Sequence, residues 1–208
     1  MKKILVYGDS NTWGDDFVNR RRIPKDKQWP VILQKELKEK FEIFQEGLPG
    51  RVAGEIEKDK PYKCGKITFL STFRTCSPVD YVIIALGTND LQIKYDEKAS
   101  NIIKSLLWYK NILEEEFSDD DNKNKYFNNA LPKIIYILPI NFDYKNKAKL
   151  CFDKKSEYKR NKIYDYFKKN NLSFIGFSDY ELLDDGIHLN YDGHKKMANR
   201  VKEVLENE

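Results

Sequence analysis

KKILVYGDSNTWG, residues 2–14, sets an unbroken apolar run directly against a cluster of small polar residues. ILVY, with no polar alternation, reads as a strand buried on both faces, the kind found in a parallel sheet covered by helices. The run stops at Gly8 and is followed by Asp9, Ser10 and Asn11. That stop has two readings: an ordinary Asx-type turn, or a serine held out at a strand end for chemistry.

Four more short strands are expected outward from this one: EIFQE (42–46), DYVIIALG (80–87), KIIYILPI (133–140) and LSFIGF (172–177). Helical spacing falls between them. In QWPVILQKELKEKF (28–41) the apolar positions are Trp29, Ile32, Leu33, Leu37 and Phe41. ITFLSTFRTC (67–76), residues 97–117, KKSEYKRNKIYDYFKKN (154–170) and the closing LNYDGHKKMANRVKEVLEN (189–207) are also expected to be helices. Residues 118–131, SDDDNKNKYFNNAL, are expected to be a solvated loop; they lack the spaced ligands and glycine of a calcium loop. Alternating strands and helices predict an α/β protein, a three-layer α/β/α sandwich on a central parallel five-stranded sheet, as a single domain over 1–208.

Bulk composition narrows the function. At 208 residues, with 40% apolar and 13% aromatic residues, the chain can bury a substantial core. Thirty-seven basic against 33 acidic residues leave a net charge of +4, spread along the chain, which speaks against a nucleic-acid partner. Cys64, Cys76 and Cys151 are widely spaced and form no CxxC pair, so neither a disulfide framework nor a metal site is expected. ILVY is too short for the core of a signal peptide and no stretch is long enough to span a membrane. A cytoplasmic protein is the expectation.

In a parallel sheet, ligands sit beyond the carboxyl ends of the strands. Four polar clusters fall there: GDSNTWG (8–14), QEGLPGR (45–51), GTND (87–90) and DDGIHL (184–189). A serine needs a base to become a nucleophile, and the chain offers only His188 and His194. Asp185 precedes His188 by three residues, a spacing that lets a carboxylate hold Nδ1–H and leave Nε2 for Ser10. Asp184 stands beside it as the next carboxylate to test. His194 falls among lysines of the closing helix, where a surface role is expected. An oxyanion formed on attack needs donors, and the Asn89 amide, the Gly50 N–H and the Ser10 N–H could supply them. Asp90 is expected to hold its loop. Trp13, Leu91 and Ile187 adjoin three of the clusters and read equally as the lining of an acyl pocket or as core packing. Taken singly, each cluster also reads as an ordinary turn.

Together, GDSNTWG, QEGLPG, GTND and DGIH resemble, in order and across nearly the whole chain, the four blocks of the SGNH hydrolases, the GDSL-type esterases and lipases. The resemblance implies the flavodoxin-like SGNH hydrolase fold and carboxylic ester hydrolysis by Ser10, His188 and Asp185. It places the oxyanion hole at Ser10, Gly50 and Asn89, and implies no cofactor. GDSNTWG, EGLPGR and VIIALGTND are most similar to the arylesterase and acyltransferase branch. That likeness implies small acyl or aryl esters, scope for acyl transfer and, often in that branch, a homo-oligomer. Two positions depart from the common pattern: Asn11 stands where GDSL has Leu, and Gln45 stands where the second block commonly begins with Asn. An acetylated sugar is the alternative substrate. A flavodoxin-like binding module or a response-regulator-like receiver is the non-enzymatic alternative.

Overall fold

The computed structural model describes residues 1–176 and 179–207. Strand β1 (Lys2–Gly8) leads into a single helical turn, α1 (Ser10–Trp13), and a short antiparallel ribbon, β2 (Asp15–Asp16) with β3 (Arg21–Arg22). Then follow α2 (Trp29–Leu37), β4 (Phe41–Gly47), α3 (Gly65–Cys76) and β5 (Tyr81–Ala85). The second half runs α4 (Ala99–Ser118), α5 (Asp120–Tyr126), β6 (Lys133–Ile137), α6 (Lys154–Lys169), β7 (Phe174–Ile175) and α7 (Tyr191–Glu206). Five strands form one parallel sheet in the order β4-β1-β5-β6-β7.

Alternation along β1 distributes its side chains between two cores. Leu5 and Tyr7 join Phe69 and Phe73 of α3, Leu106 and Tyr109 of α4, and Ile163 and Phe167 of α6. Ile4 and Val6 join Trp29 and Leu33 of α2 and Met197 and Val201 of α7. Helices on both faces explain why the strand is apolar throughout. Among the described residues, no helix is long and apolar enough to cross a membrane.

The chain moves from β1 to β4 on one side and to β5 on the other, so strand order reverses at β1. A crevice opens at such a reversal, above the strand ends. Register makes those ends level, because Gly8 pairs with both Gly47 and Ala85. Loops after the three strands therefore start at one height.

Three local expectations need correction. Phe41 begins β4 instead of closing the helix before it, and its ring meets that of Tyr81, at the start of β5, edge-on. Residues 118–131 are not simply a loop, for α5 forms within them. The Asp119 carboxylate accepts the Asn122 N–H at 2.9 Å as a cap. Asp120 and Asp121 occupy the first turn and Lys123 and Lys125 the last, a charge order that matches the helix dipole. In LSFIGF only Phe174 and Ile175 pair as a strand, and Phe177 lies outside the described residues.

Candidate active site

Asp9 ends the strand run and caps α1, its carboxylate accepting the Asn11 N–H at 3.0 Å. This cap turns the chain sharply, and Gly14, in the left-handed conformation, closes the turn by donating to Ser10 O. Ser10 is thus the first residue of a one-turn helix, and the N–H at that position has no intrahelical acceptor. Gly47 lets β4 approach this turn, since a Cβ there would come within 2.3 Å of the Trp13 nitrogen. Gln45 ties the same two segments, its amide donating to Thr12 O at 2.7 Å and Gln28 Oε1 at 2.8 Å. The departure from the common second block is therefore a brace on the Ser10 turn.

LPGR, after β4, forms a turn in which Arg51 N–H donates to Leu48 O. Pro49 and Gly50 take its central positions, and Gly50 has φ +77, the positive value that a turn of this composition requires. The buried Arg51 guanidinium locks the turn onto the sheet by donating to Gly8 O at 2.8 Å and Glu46 O at 2.5 Å, over the Tyr7 ring. From β5, the Asn89 amide donates to Arg51 O at 3.0 Å, and Gln92 donates to Asn89 Oδ1. The bond to Arg51 O uses one of the two Asn89 amide hydrogens and holds the side chain beside the turn that carries Gly50. Asp90 does hold the loop: its carboxylate accepts the N–H groups of Ala53 at 2.8 Å and Gly54 at 3.3 Å. Burial pushes its carboxyl up to about 6 even against those hydrogen bonds.

Residues 183–188 form a tight hairpin, with Leu183 N–H donating to His188 O. Within it, one Asp185 oxygen accepts the N–H groups of Ile187 and His188, and the other meets His188 Nδ1 at 2.5 Å. His188 Nε2 lies 2.9 Å from Ser10 Oγ, 178 residues away in sequence. Burial raises the Asp185 carboxyl, but hydrogen bonds from the His188 ring and backbone outweigh it and hold the carboxyl below the usual range. For His188, burial works against the charged ring, yet Asp185, Asp15 and Asp9 together raise its pKa above the ordinary histidine value. Asp184 is exposed and takes no part in this chain of hydrogen bonds.

Asn11 joins the serine turn to the histidine loop. Its Oδ1 accepts the Leu189 N–H at 2.8 Å and its Nδ2 reaches Ile187 O at 3.5 Å. Both bonds flank His188. A leucine at position 11 could make neither.

Three expectations are corrected or narrowed here. Leu91 has no exposed surface and belongs to the core under the Asn89 turn, so it cannot line an open pocket. Trp13 and Ile187 are half-buried; Trp13 lies beneath the Arg22 guanidinium, and Ile187 packs against the core. His194 is not a surface residue. It is 1% exposed, and its Nδ1 accepts the Trp29 N–H that begins α2. Burial, then the charge of His188, lowers its pKa to about 3.

Sequence alone does not single out Arg51, Asp15 or Phe17. Arg51 had a signal in LPGR, where an arginine beside a turn glycine at a strand end could reach back to free carbonyls. Phe17 stacks on the His188 ring, with centroids 6.1 Å apart, while most of its surface faces solvent. Asp15 Oδ2 lies 4.0 Å from His188 Nε2.

No family model and no curated protein sequence matches the chain. Solved structures do. A carbohydrate acetylesterase family member from Sinorhizobium meliloti superposes with a TM-score of 0.81 at 22% identity, covering 100% of this chain and 98% of that one. The native aryl esterase of M. smegmatis gives 0.77 at 23%, with 98% and 100% covered. A member of the lipolytic protein G-D-S-L family from Veillonella parvula gives 0.67 at 17%, with both chains fully covered. With its five parallel strands, level strand ends and helices on both faces, the chain has the α/β fold shared by these SGNH-type hydrolase structures.

Proposed function

We propose that the protein is a serine ester hydrolase acting on small acyl or aryl esters, as a single domain over 1–208. The observation that carries this reading is the unbroken run from Asp185 through both nitrogens of His188 to Ser10 Oγ, at 2.5 and 2.9 Å. Ser10 Oγ attacks the ester carbonyl carbon while its proton passes to Nε2. Asp185 holds the ring in the tautomer that leaves Nε2 free and stabilises the imidazolium that forms. The Ser10 and Gly50 N–H groups and the Asn89 amide receive the oxyanion. As the intermediate collapses, Nε2–H protonates the departing alcohol. Water repeats the sequence on the acyl-enzyme, and an alcohol in its place gives acyl transfer.

Ser10→Ala is expected to remove hydrolysis of p-nitrophenyl acetate by a factor of about 10⁴ or more while the protein stays folded. A fluorophosphonate should label the unaltered protein and not the variant. Undiminished turnover in Ser10→Ala overturns the reading. Likeness in fold to the S. meliloti acetylesterase supports a second substrate class, O-acetylated carbohydrate. Acetate release from acetyl-xylan, compared with release from aryl acetates, separates the two.

A further inference from the structure

Asp15 is a carboxylate that the triad does not use, yet it faces the same nitrogen that Ser10 meets. Its Oδ2 lies 4.0 Å from His188 Nε2, its side chain is only 18% exposed, and it opens β2 directly after the serine turn. One imidazole thus has a carboxylate on each side: Asp185 bonded to Nδ1, and Asp15 near Nε2. Four ångströms is too long for a direct hydrogen bond. It suits an oxygen placed about 2.8 Å from each group, as a bridging water or hydroxyl would be.

Lys63 sets the opposite charge beside Gly50. A Cβ on Gly50 would lie 2.8 Å from Lys63 Nζ, so the ammonium sits against the oxyanion-hole glycine. Burial raises the Asp15 carboxyl, while the charges of His188 and Lys63 pull it down and those of Asp185 and Asp16 push it up. On the serine hydrolase reading, an ester would place its carbonyl oxygen at Gly50 and Asn89 and its alcohol oxygen between His188 and Asp15. The incoming nucleophile of the second half-reaction takes the place the alcohol has left.

We propose that Asp15 positions the acyl acceptor by accepting a second hydrogen bond from it, and so selects water and vicinal diols over alcohols with one hydroxyl. This rests on the serine hydrolase reading above. In the step concerned, the attacking oxygen bonds to the acyl carbon as its proton passes to His188 Nε2. Ser10 Oγ then leaves and takes that proton back. The second O–H of water, or the neighbouring hydroxyl of a diol, stays intact and donates to Asp15. A monohydric alcohol has one O–H, which Nε2 requires, so it leaves the carboxylate unserved.

The test is a competition for the acyl-enzyme. The protein is turned over on p-nitrophenyl acetate with equal concentrations of ethane-1,2-diol and ethanol, and the two acetate esters are quantified. The diol should win about tenfold per hydroxyl group, the advantage of one hydrogen bond to a charged acceptor. Asp15→Ala should bring the ratio to near one. Asp15→Asn, of the same shape but uncharged, should fall between and serves if the alanine variant does not fold. An undiminished ratio in Asp15→Ala, or no preference in the unaltered protein, overturns the role of Asp15. Fluorophosphonate labelling of Ser10 in the same preparations keeps the two failures apart. Without labelling the serine mechanism itself fails, whereas labelling with no diol preference removes only this inference.

Discussion

The two histidines lie six residues apart, both with less than a tenth of their surface exposed, and they have opposite chemistry. His188 sits in a hairpin where its Nδ1 meets a carboxylate and its Nε2 meets a serine hydroxyl. His194 sits in α7, where its Nδ1 accepts a backbone N–H at the start of α2. Burial disfavours the charged ring at both places. At His188 three carboxylates overcome it, whereas at His194 nothing does, and the pKa falls to about 3. Burial alone therefore does not decide what a histidine does. The partner on each nitrogen does.

The sharpest way to break this contrast is Asp185→Asn, which gives His188 an amide in place of its carboxylate. Loss of the correct tautomer is expected to cut kcat by about 10⁴-fold, measured on p-nitrophenyl acetate. A near-normal rate would mean that Asp185 only shapes the hairpin.

Removing the other histidine should affect stability instead. His194→Ala leaves the Trp29 N–H unpaired and a cavity between α2 and α7, at a cost of about 3 kcal/mol in denaturant unfolding. The rate per folded molecule should change less than about threefold, since the ring touches no reacting group. This gap also has a pH signature. His194's folded-state pKa is depressed, so its contribution is present above the unfolded value of about 6.5 and lost as pH falls toward 3. The stability difference between the two proteins should narrow on acidification; a constant difference would show that the ring is not titrating as placed.

A smaller effect is expected at Asn11, which holds the backbone on both sides of His188. Asn11→Leu should lower kcat about tenfold with KM little changed, because the base is misplaced while the binding surface remains. Asn11→Asp keeps the acceptor for Leu189 N–H and should recover part of the loss. Equal defects in both variants would count against a positioning role.

The mildest test is the pH profile itself. His188 must be neutral to accept the serine proton, so kcat/KM should rise with pH through a midpoint above 6.5. A midpoint below that value would mean that the carboxylates around His188 do not act on it as the geometry implies.

Much of this site was legible in the sequence because its parts sit at strand ends, and strand ends are marked by Gly8, Gly47 and Gly87 after apolar runs. Ser10, Gly50 and Asn89 follow those ends, whereas Asp185 and His188 were read from their spacing in the cluster before the closing helix. The fold brings Ser10, His188 and Asp185 into one hydrogen-bonded run. Less legible were the residues that work by reaching across the fold. Arg51 reads as a surface charge until its guanidinium is seen against the carbonyls of two strands. Leu91 directly follows the GTND cluster, yet the turn at Asn89–Leu91 rotates it into the core. His194 lies among lysines, but helical rotation points it away from them and onto α2.

By itself, the sequence determined the alternation of buried strands and amphipathic helices, and which small polar residues stand at the strand ends. Both follow from local rules: side-chain periodicity, glycine's freedom, and the placing of loops after apolar runs. Only the tertiary structure decided that His194 is buried against α2, what Asn11 and Gln45 hold, and that Asp15 lies near His188 Nε2. Those depend on distances between segments that share no local pattern, set by the common register of β1, β4 and β5. A parallel sheet with level strand ends turns residues 178 positions apart into neighbours, and no spacing rule along the chain contains that distance.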